Sequence, residues 1–428
     1  MGKNVHFLGI GGSGTSAAAA IAQAQGYKVT GCDLHPVNEF TKSFKQEQLL
    51  TGHHPEHLNN IDILAVTPAI FSLDPNNPEL VEAKKKNIPI LTWQQFTGKF
   101  LTKEKHVIAV CGTHGKSTTT AMIAQMIEDA NLDPTVLLGA IVPKWSTNYR
   151  LGKDKYFVIE ADEFNDNFLS LNPNITVVTN IDMDHPEYFK NFSVYQDSFF
   201  QFLLQTKDTI VANLSDKVVA EILKDVMKQS KVACFDYSRN DYNLKLKIPG
   251  QFNISNASAA FQVGLLLDID PSVIRKSLEN YSGIGRRFEY VGLYKGAKIY
   301  TDFGHHPTEI KTTMEAARVK FPKEKIWLFF EPHMFSRTKY LFDDFVKVLK
   351  LLPVDQIILL DIYPSRELDT GLVKSWQLVQ SVQKHNVRYQ NPEELKETLG
   401  KEIKKGDVVF FMGAGDIDKL ARKLVMNA

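Results

Sequence analysis

Short apolar runs alternate with amphipathic stretches along the whole chain, which is the pattern of strand and helix in turn. The run Asn4-Val5-His6-Phe7-Leu8-Gly9 predicts a buried strand, and an alanine-rich helix follows over residues 15–25. Further strands are predicted over 27–31, 62–68 and 88–91, with a lysine-rich helix around 79–86 and a polar linker over 97–105. The pattern resumes with strand 106–110, a glycine turn, a helix from Ala121, and strands 156–159, 175–179 and 209–213. A helix opens after Pro249-Gly250, and a glycine and arginine turn spans 282–289. Beyond it strands 298–302, 326–330, 356–360 and 408–411 again alternate with helices. The expectation is an α/β protein of three units.

Length agrees, because 428 residues exceed what one hydrophobic core usually serves. Apolar residues make up 43% and charged residues 23%, and 50 basic residues face 49 acidic ones. A net charge of +1 gives no electrostatic argument for nucleic acid or an acidic membrane. Cys32, Cys111 and Cys234 are widely spaced and odd in number, which offers neither a zinc pattern nor a disulfide framework and fits a reducing cytosol. With no basic-then-apolar leader and no run near the ~20 apolar residues of a bilayer span, a cytoplasmic protein without membrane insertion is expected.

The chemistry gathers at Cys111-Gly112-Thr113-His114-Gly115-Lys116-Ser117-Thr118, between a strand and a helix. Such a turn aims backbone N–H groups at an anion, while Lys116 can reach a terminal phosphate and the Ser117 hydroxyl can ligate Mg²⁺. The general phosphate-loop pattern asks for glycine where Val110 stands, so the loop is a variant form. A second glycine motif, Gly9-Ile10-Gly11-Gly12-Ser13-Gly14, opens a Rossmann βαβ unit with Asp33 about 20 residues on to take ribose hydroxyls. Alone it is compatible with NAD, with the diphosphate of a nucleotide sugar, or with close helix–strand packing. Two consecutive strand ends carry Glu160-Ala161-Asp162-Glu163 and Asp182-Met183-Asp184-His185, an oxygen-rich set suited to Mg²⁺. Asn253 and Asn256 share a helical face and could meet an adenine edge or cap the helix. In the last unit, Asp302-Phe303-Gly304-His305-His306-Pro307, Glu331-Pro332-His333-Met334-Phe335-Ser336-Arg337 and Gly413-Ala414-Gly415-Asp416 follow strands.

In this order the motifs resemble the Mur ligases, ATP-dependent amide-forming enzymes of peptidoglycan synthesis. The resemblance rests on the two glycine loops, Glu160 to Glu163, Thr179-Asn180-Ile181 with Asp184-His185, Gly285-Arg286-Arg287-Phe288, the run from Asp302 to Glu309, and Gly413-Ala414-Gly415. It implies a UDP-sugar-binding Rossmann-like domain over 1–98, a central P-loop ATPase domain with a mostly parallel sheet over 99–288, and a Rossmann-like domain over 289–428 that brings the amino acid. The implied reaction joins L-alanine, or another small amino acid, to the lactyl carboxylate of UDP-N-acetylmuramate through an acyl phosphate. Lys116, Glu160 and His185 would be catalytic. Gly112, Thr113, His114, Gly115, Lys116, Ser117, Thr118, Asn256, Arg287 and Asp302 would bind ATP, and Ser117, Glu160 and His185 would hold Mg²⁺. Gly11, Gly12, Ser13, Gly14 and Asp33 would meet the UDP-sugar, and His305 and Arg337 the amino acid.

The chain departs from the family pattern at several points. Met334 stands where arginine is common, removing one cation that could hold the amino acid's carboxylate, and Phe303 replaces a common tyrosine. Phe252 and Thr15 also depart, whereas the ATP and metal set is intact. Two other readings are an enzyme attaching an intact tripeptide to the same sugar nucleotide, and a nicotinamide-dependent oxidoreductase suggested by the first glycine motif.

Overall fold

The computed structural model describes residues 2–239, 242–365 and 367–426. Three sheets follow one another along the chain. The first contains β1 (Asn4–Leu8), β2 (Lys28–Asp33), β3 (Leu49–Thr51), β4 (Ile63–Val66) and β5 (Ile90–Thr92), all parallel, in the order β3-β2-β1-β4-β5. Strand order reverses beside β1, which is where ligands of open α/β sheets collect.

The second sheet contains β6 (His106–Cys111), β7 (Thr135–Val142), β8 (Thr147–Arg150), β9 (Tyr156–Glu160), β10 (Ile175–Val178), β11 (Thr209–Ala212) and β12 (Ala233–Asp236). Its order is β12-β11-β10-β6-β9-β7-β8, parallel except for the β7–β8 hairpin. The third contains β13 (Glu289–Tyr294), β14 (Ala297–Asp302), β15 (Ile326–Phe330), β16 (Gln356–Leu359), β17 (Val387–Tyr389) and β18 (Val408–Met412), with β13 alone antiparallel to its neighbour. Its central strands are apolar at every position because both faces are covered. Ile326, Leu328 and Phe330 enter one core, and Trp327 and Phe329 enter the other.

Two compact units emerge. One comprises Met1–Asp182, Phe192–Lys245 and Ser255–Tyr281, and so carries the first two sheets. The other comprises Met183–Asn191, Leu246–Ile254 and Ser282–Ala428, and carries the third. Within the first unit the helix Ser13–Ala24 packs against the β7–β8 hairpin.

The polar stretch expected to be a linker is instead helical over Thr97–Leu101, with Thr97 and Leu101 buried. The Thr97 hydroxyl donates to the Trp93 carbonyl at 2.8 Å, and that of Thr102 to Gly98 at 2.9 Å. Each hydroxyl is satisfied one helical turn back, so residues that read as polar tolerate burial. Among the described residues no helix is long and apolar enough to cross a membrane.

Candidate active site

Parallel pairing assembles the phosphate loop. Val110 lies inside β6, opposite Glu160 of β9 and Val177 of β10, so the position where a glycine was missing belongs to a strand that needs none. The turn comes later, at Gly112 (φ +126°) and Gly115 (φ +86°). A Cβ at Gly112 would lie 2.1 Å from the Thr179 hydroxyl, and one at Gly115 would lie 2.6 Å from Asn256 Oδ1. Both sites therefore exclude side chains as well as favouring glycine's backbone freedom. Asn180 holds the loop from β10's end: its Oδ1 accepts from His114 N at 2.9 Å, and its Nδ2 donates to the His114 carbonyl at 2.9 Å. Asn256 lies within the helix Gln251–Leu266 against Gly115, and is not a cap. The amide of Asn253 donates to the Pro249 carbonyl at 2.6 Å.

Lys116 opens the helix Lys116–Asp129 and is bound from both sides. Its Nζ donates to the Gly112 carbonyl at 2.6 Å and to Glu163 Oε2 at 2.8 Å, and the Glu163 side chain is fully buried. Burial alone would pull the Lys116 ammonium down, but Glu163, with Asp162 and Glu160, outweighs it and holds the group above the ordinary lysine value. Glu163 also accepts from the Tyr195 hydroxyl at 3.2 Å. The strand-end pattern presented four residues with three acids, and the geometry singles out Glu163 as the partner of Lys116.

Ser117 Oγ donates to Glu160 Oε1 at 2.8 Å, and Glu160 Oε2 accepts from Gly139 N of β7 at 2.7 Å. A hydroxyl and a carboxylate in contact form the oxygen donor pair that Mg²⁺ prefers. The hairpin that fixes Glu160 also reaches the first glycine loop, for Asn148 of β8 donates to the Ser13 carbonyl at 2.8 Å. Gly12 precedes the helix Ser13–Ala24 without a side-chain cap, which leaves that helix start to an anion. Gly11 N donates to Asp33 Oδ2 at 3.1 Å, so the expected ribose acid adjoins the loop. Gly14 faces the Trp93 indole, 2.4 Å from where a Cβ would stand. Trp93 in turn lines a small cavity with Thr97, Glu160, Asp162 and Asn167. Trp93 thus stands between the first glycine loop and the small cavity beside Glu160.

In the second unit Arg337 is 1% exposed, and its Nε donates to Asp184 Oδ1 at 2.8 Å. Burial would raise Asp184, but Arg337 and the neighbouring histidines hold its carboxyl well below the usual range. Arg337 Nη1 lies 3.1 Å from His333 Nδ1 and 4.0 Å from the Met334 sulfur, while Nη2 lies 3.5 Å from His185 Nδ1. His185, at φ +56°, also contacts Glu187 through Nδ1 at 3.1 Å. His305 is lowered to about 4, first by burial and then by Arg337. Arg287 donates to Glu309 Oε1 at 3.1 Å, and Glu309 Oε2 accepts from His305 N and His306 N at 3.0 and 3.2 Å. Glu309 is the acid three residues past His306 at the start of the helix Pro307–Lys320, a capping spacing readable in sequence. Asp302 accepts from Phe288 N and Gly304 N at 2.9 and 2.7 Å, and burial raises it despite Arg287. Phe303 lies beneath both Arg286 and Arg287, a cation–π role that asks nothing of a tyrosine hydroxyl. The expected metal residues divide: Ser117 and Glu160 meet in the first unit, and His185 belongs to the second.

Comparison with known proteins accords with this geometry. Residues 4–105 match the Mur ligase family catalytic domain, 110–241 the Mur ligase middle domain, and 286–415 the Mur ligase glutamate ligase domain. The chain belongs to the Mur ligase family. This Mur ligase is 37% identical to the UDP-N-acetylmuramate–L-alanine ligase of Clostridium tetani, covering 97% of this chain and 96% of the relative. It is equally 37% identical to the enzyme of that name from Aquifex aeolicus, with 97% and 96% covered. The crystal structure of UDP-N-acetylmuramate–alanine ligase from Thermotoga maritima superposes with a TM-score of 0.78 at 26% identity, covering 99% of this chain and 98% of that one.

Proposed function

We propose that this Mur ligase joins L-alanine to the lactyl carboxylate of UDP-N-acetylmuramate at the expense of ATP, in the synthesis of peptidoglycan precursors. Full-length similarity to relatives bearing that activity in their names supports the substrate pair. The observation that carries the reading is the β7–β8 hairpin that ties the two loops: Asn148 donates to the Ser13 carbonyl, and Gly139 N donates to Glu160, which accepts from Ser117. A sugar nucleotide whose diphosphate meets Gly11, Gly12, Ser13 and Gly14 would extend its carboxylate towards Glu160 and the second glycine loop.

A carboxylate is a poor electrophile towards an amine, so activation comes first. A lactyl oxygen attacks the γ-phosphorus, the bond to the β-phosphate breaks, and ADP leaves. The amine then attacks the acyl carbon, and phosphate departs carrying the carboxylate oxygen. Both steps concentrate negative charge that fixed cations and N–H groups stabilise. Lys116 would exchange part of its contact with Glu163 for the β- and γ-phosphates, cradled by N–H groups from Gly112 to Thr118. Asn256 against Gly115 would meet adenine, and Arg287 and Asp302 are proposed as nucleotide-binding residues of the second unit. Ser117 and Glu160 would hold a divalent cation, with Mg²⁺ the expected ion, neutralising phosphate charge. His185 is proposed as a further metal ligand, since its Nδ1 contact with Glu187 resembles the outer hydrogen bond that orients metal-bound imidazoles. His305 and Arg337 would serve the amino acid.

The test is phosphate release with UDP-N-acetylmuramate, ATP and Mg²⁺ against L-alanine, glycine, L-serine and the tripeptide. Release should be greatest with L-alanine. Preference for the tripeptide would reassign the enzyme to recycling, and sugar-independent release would overturn the proposal.

A further inference from the structure

A second donor cluster lies in the first unit, among residues without a part in the ligase chemistry. His6 of β1, Cys32 of β2, His57 in the turn Pro55–Leu58 and Glu79 in the helix Pro78–Lys85 each turn one ligand atom inward, and these atoms lie within 4.8 Å of one another. The His6 and Glu79 side chains are wholly buried. Cys32 Sγ lies 3.0 Å from Glu79 Oε1 and His57 Nδ1 lies 2.9 Å from the same oxygen. His6 Nε2 approaches Glu79 Oε2 to 3.2 Å, yet is a buried nitrogen without an aligned hydrogen bond. The other His6 nitrogen meets the Thr30 hydroxyl at 2.8 Å, an outer contact that turns Nε2 inward. His53 Nδ1 lies 3.3 Å from the sulfur and can donate to it.

We propose that His6, Cys32, His57 and Glu79 bind a structural zinc-class divalent cation. One sulfur, two imidazole nitrogens and one carboxylate oxygen suit Zn²⁺, whereas Mg²⁺ and Ca²⁺ favour sites dominated by oxygen and free of thiolate. On binding, the Cys32 thiol loses its proton to solvent. Thiolate and carboxylate together then balance a dication, with both imidazoles neutral. Four protein donors leave no open position, so the ion braces β1, β2, the turn and the helix and takes no part in turnover. Sequence spacing hides the site, because the donors come from four separate elements and only one is cysteine.

Metal analysis of the full-length protein, purified without chelator and with Mg²⁺ in the buffer, tests this. One zinc per chain is expected, lost in Cys32→Ser and in His57→Ala. Should those variants fail to fold, Co²⁺ added to the chelator-stripped wild-type chain decides: a thiolate-to-cobalt charge-transfer band with tetrahedral visible bands, and loss of Cys32 alkylation, are expected. Zinc no higher than in Cys32→Ser, or in its absence as a folded control no cobalt–thiolate band, would overturn the site. So would bound metal with Cys32 still freely alkylated.

Discussion

Replacing Lys116 with alanine should remove both turnover and a large share of the first unit's stability, and the second loss should be repairable without the first. At an effective dielectric of about 20, unit charges 2.8 Å apart attract by about 6 kcal/mol. Desolvation offsets much of that attraction, so the pair's net worth is modest, but losing one partner strands the other. Glu163 is wholly buried, and an uncompensated buried charge typically costs about 3–5 kcal/mol. Lys116→Ala should therefore destabilise by about that amount, even with the Tyr195 hydroxyl still donating to Glu163. The double variant Lys116→Ala/Glu163→Gln removes the stranded charge and should regain about half or more of the loss, while remaining inactive because the phosphoryl-stabilising cation is gone. Urea unfolding followed by tryptophan fluorescence, beside phosphate release, measures both. A double variant no more stable than Lys116→Ala, or a single variant near wild-type stability, would refute the pairing argument. Near-normal kcat in either would refute the phosphate role.

Protonation of His305 gives a second expectation. Its folded value is depressed to about 4 by burial and by Arg337, against 6.5 for an ordinary histidine, so the unfolded chain binds the extra proton first. Its contribution to stability is full above pH 6.5 and is lost as pH falls towards 4, by about 1.4 kcal/mol per unit within that window. Unfolding midpoints measured across it should slope less in His305→Asn. Met334→Arg restores the arginine common in the family, yet it would bury a second guanidinium where the Met334 sulfur lies 4.0 Å from Arg337 Nη1. It should lower the melting temperature of the second unit and fail to lower the KM for L-alanine.

Legibility in the sequence followed burial. β6 from Val107 onwards, β15 and β18 are covered on both faces, and their unbroken apolar runs announce them. The β7–β8 hairpin does not, because Thr147–Arg150 carries polar residues whose side chains are used inwardly: Asn148 is buried and bonded to Ser13 and Leu138. That hairpin fixes Glu160 and the first glycine loop, so the link between the two loops was hidden although each loop was plain. The strand-end acids could be found from order alone, but their division of labour could not. Glu163 takes Lys116 and Glu160 takes Ser117 because β9 ends at Glu160 and a turn containing Asn165 and Asp166 at positive φ follows. Met334 reads as a lost cation in the sequence, while in the fold it is a wholly buried residue beside Arg337.

In the proposed reaction the sugar nucleotide's carboxylate is the group phosphorylated. UDP-N-acetylmuramate carrying a heavy-oxygen label in its lactyl carboxylate, turned over once with ATP, Mg²⁺ and L-alanine, reports on it directly. One labelled oxygen is expected in the released phosphate and one in the new amide. Phosphate free of label, with amide formed, would contradict it.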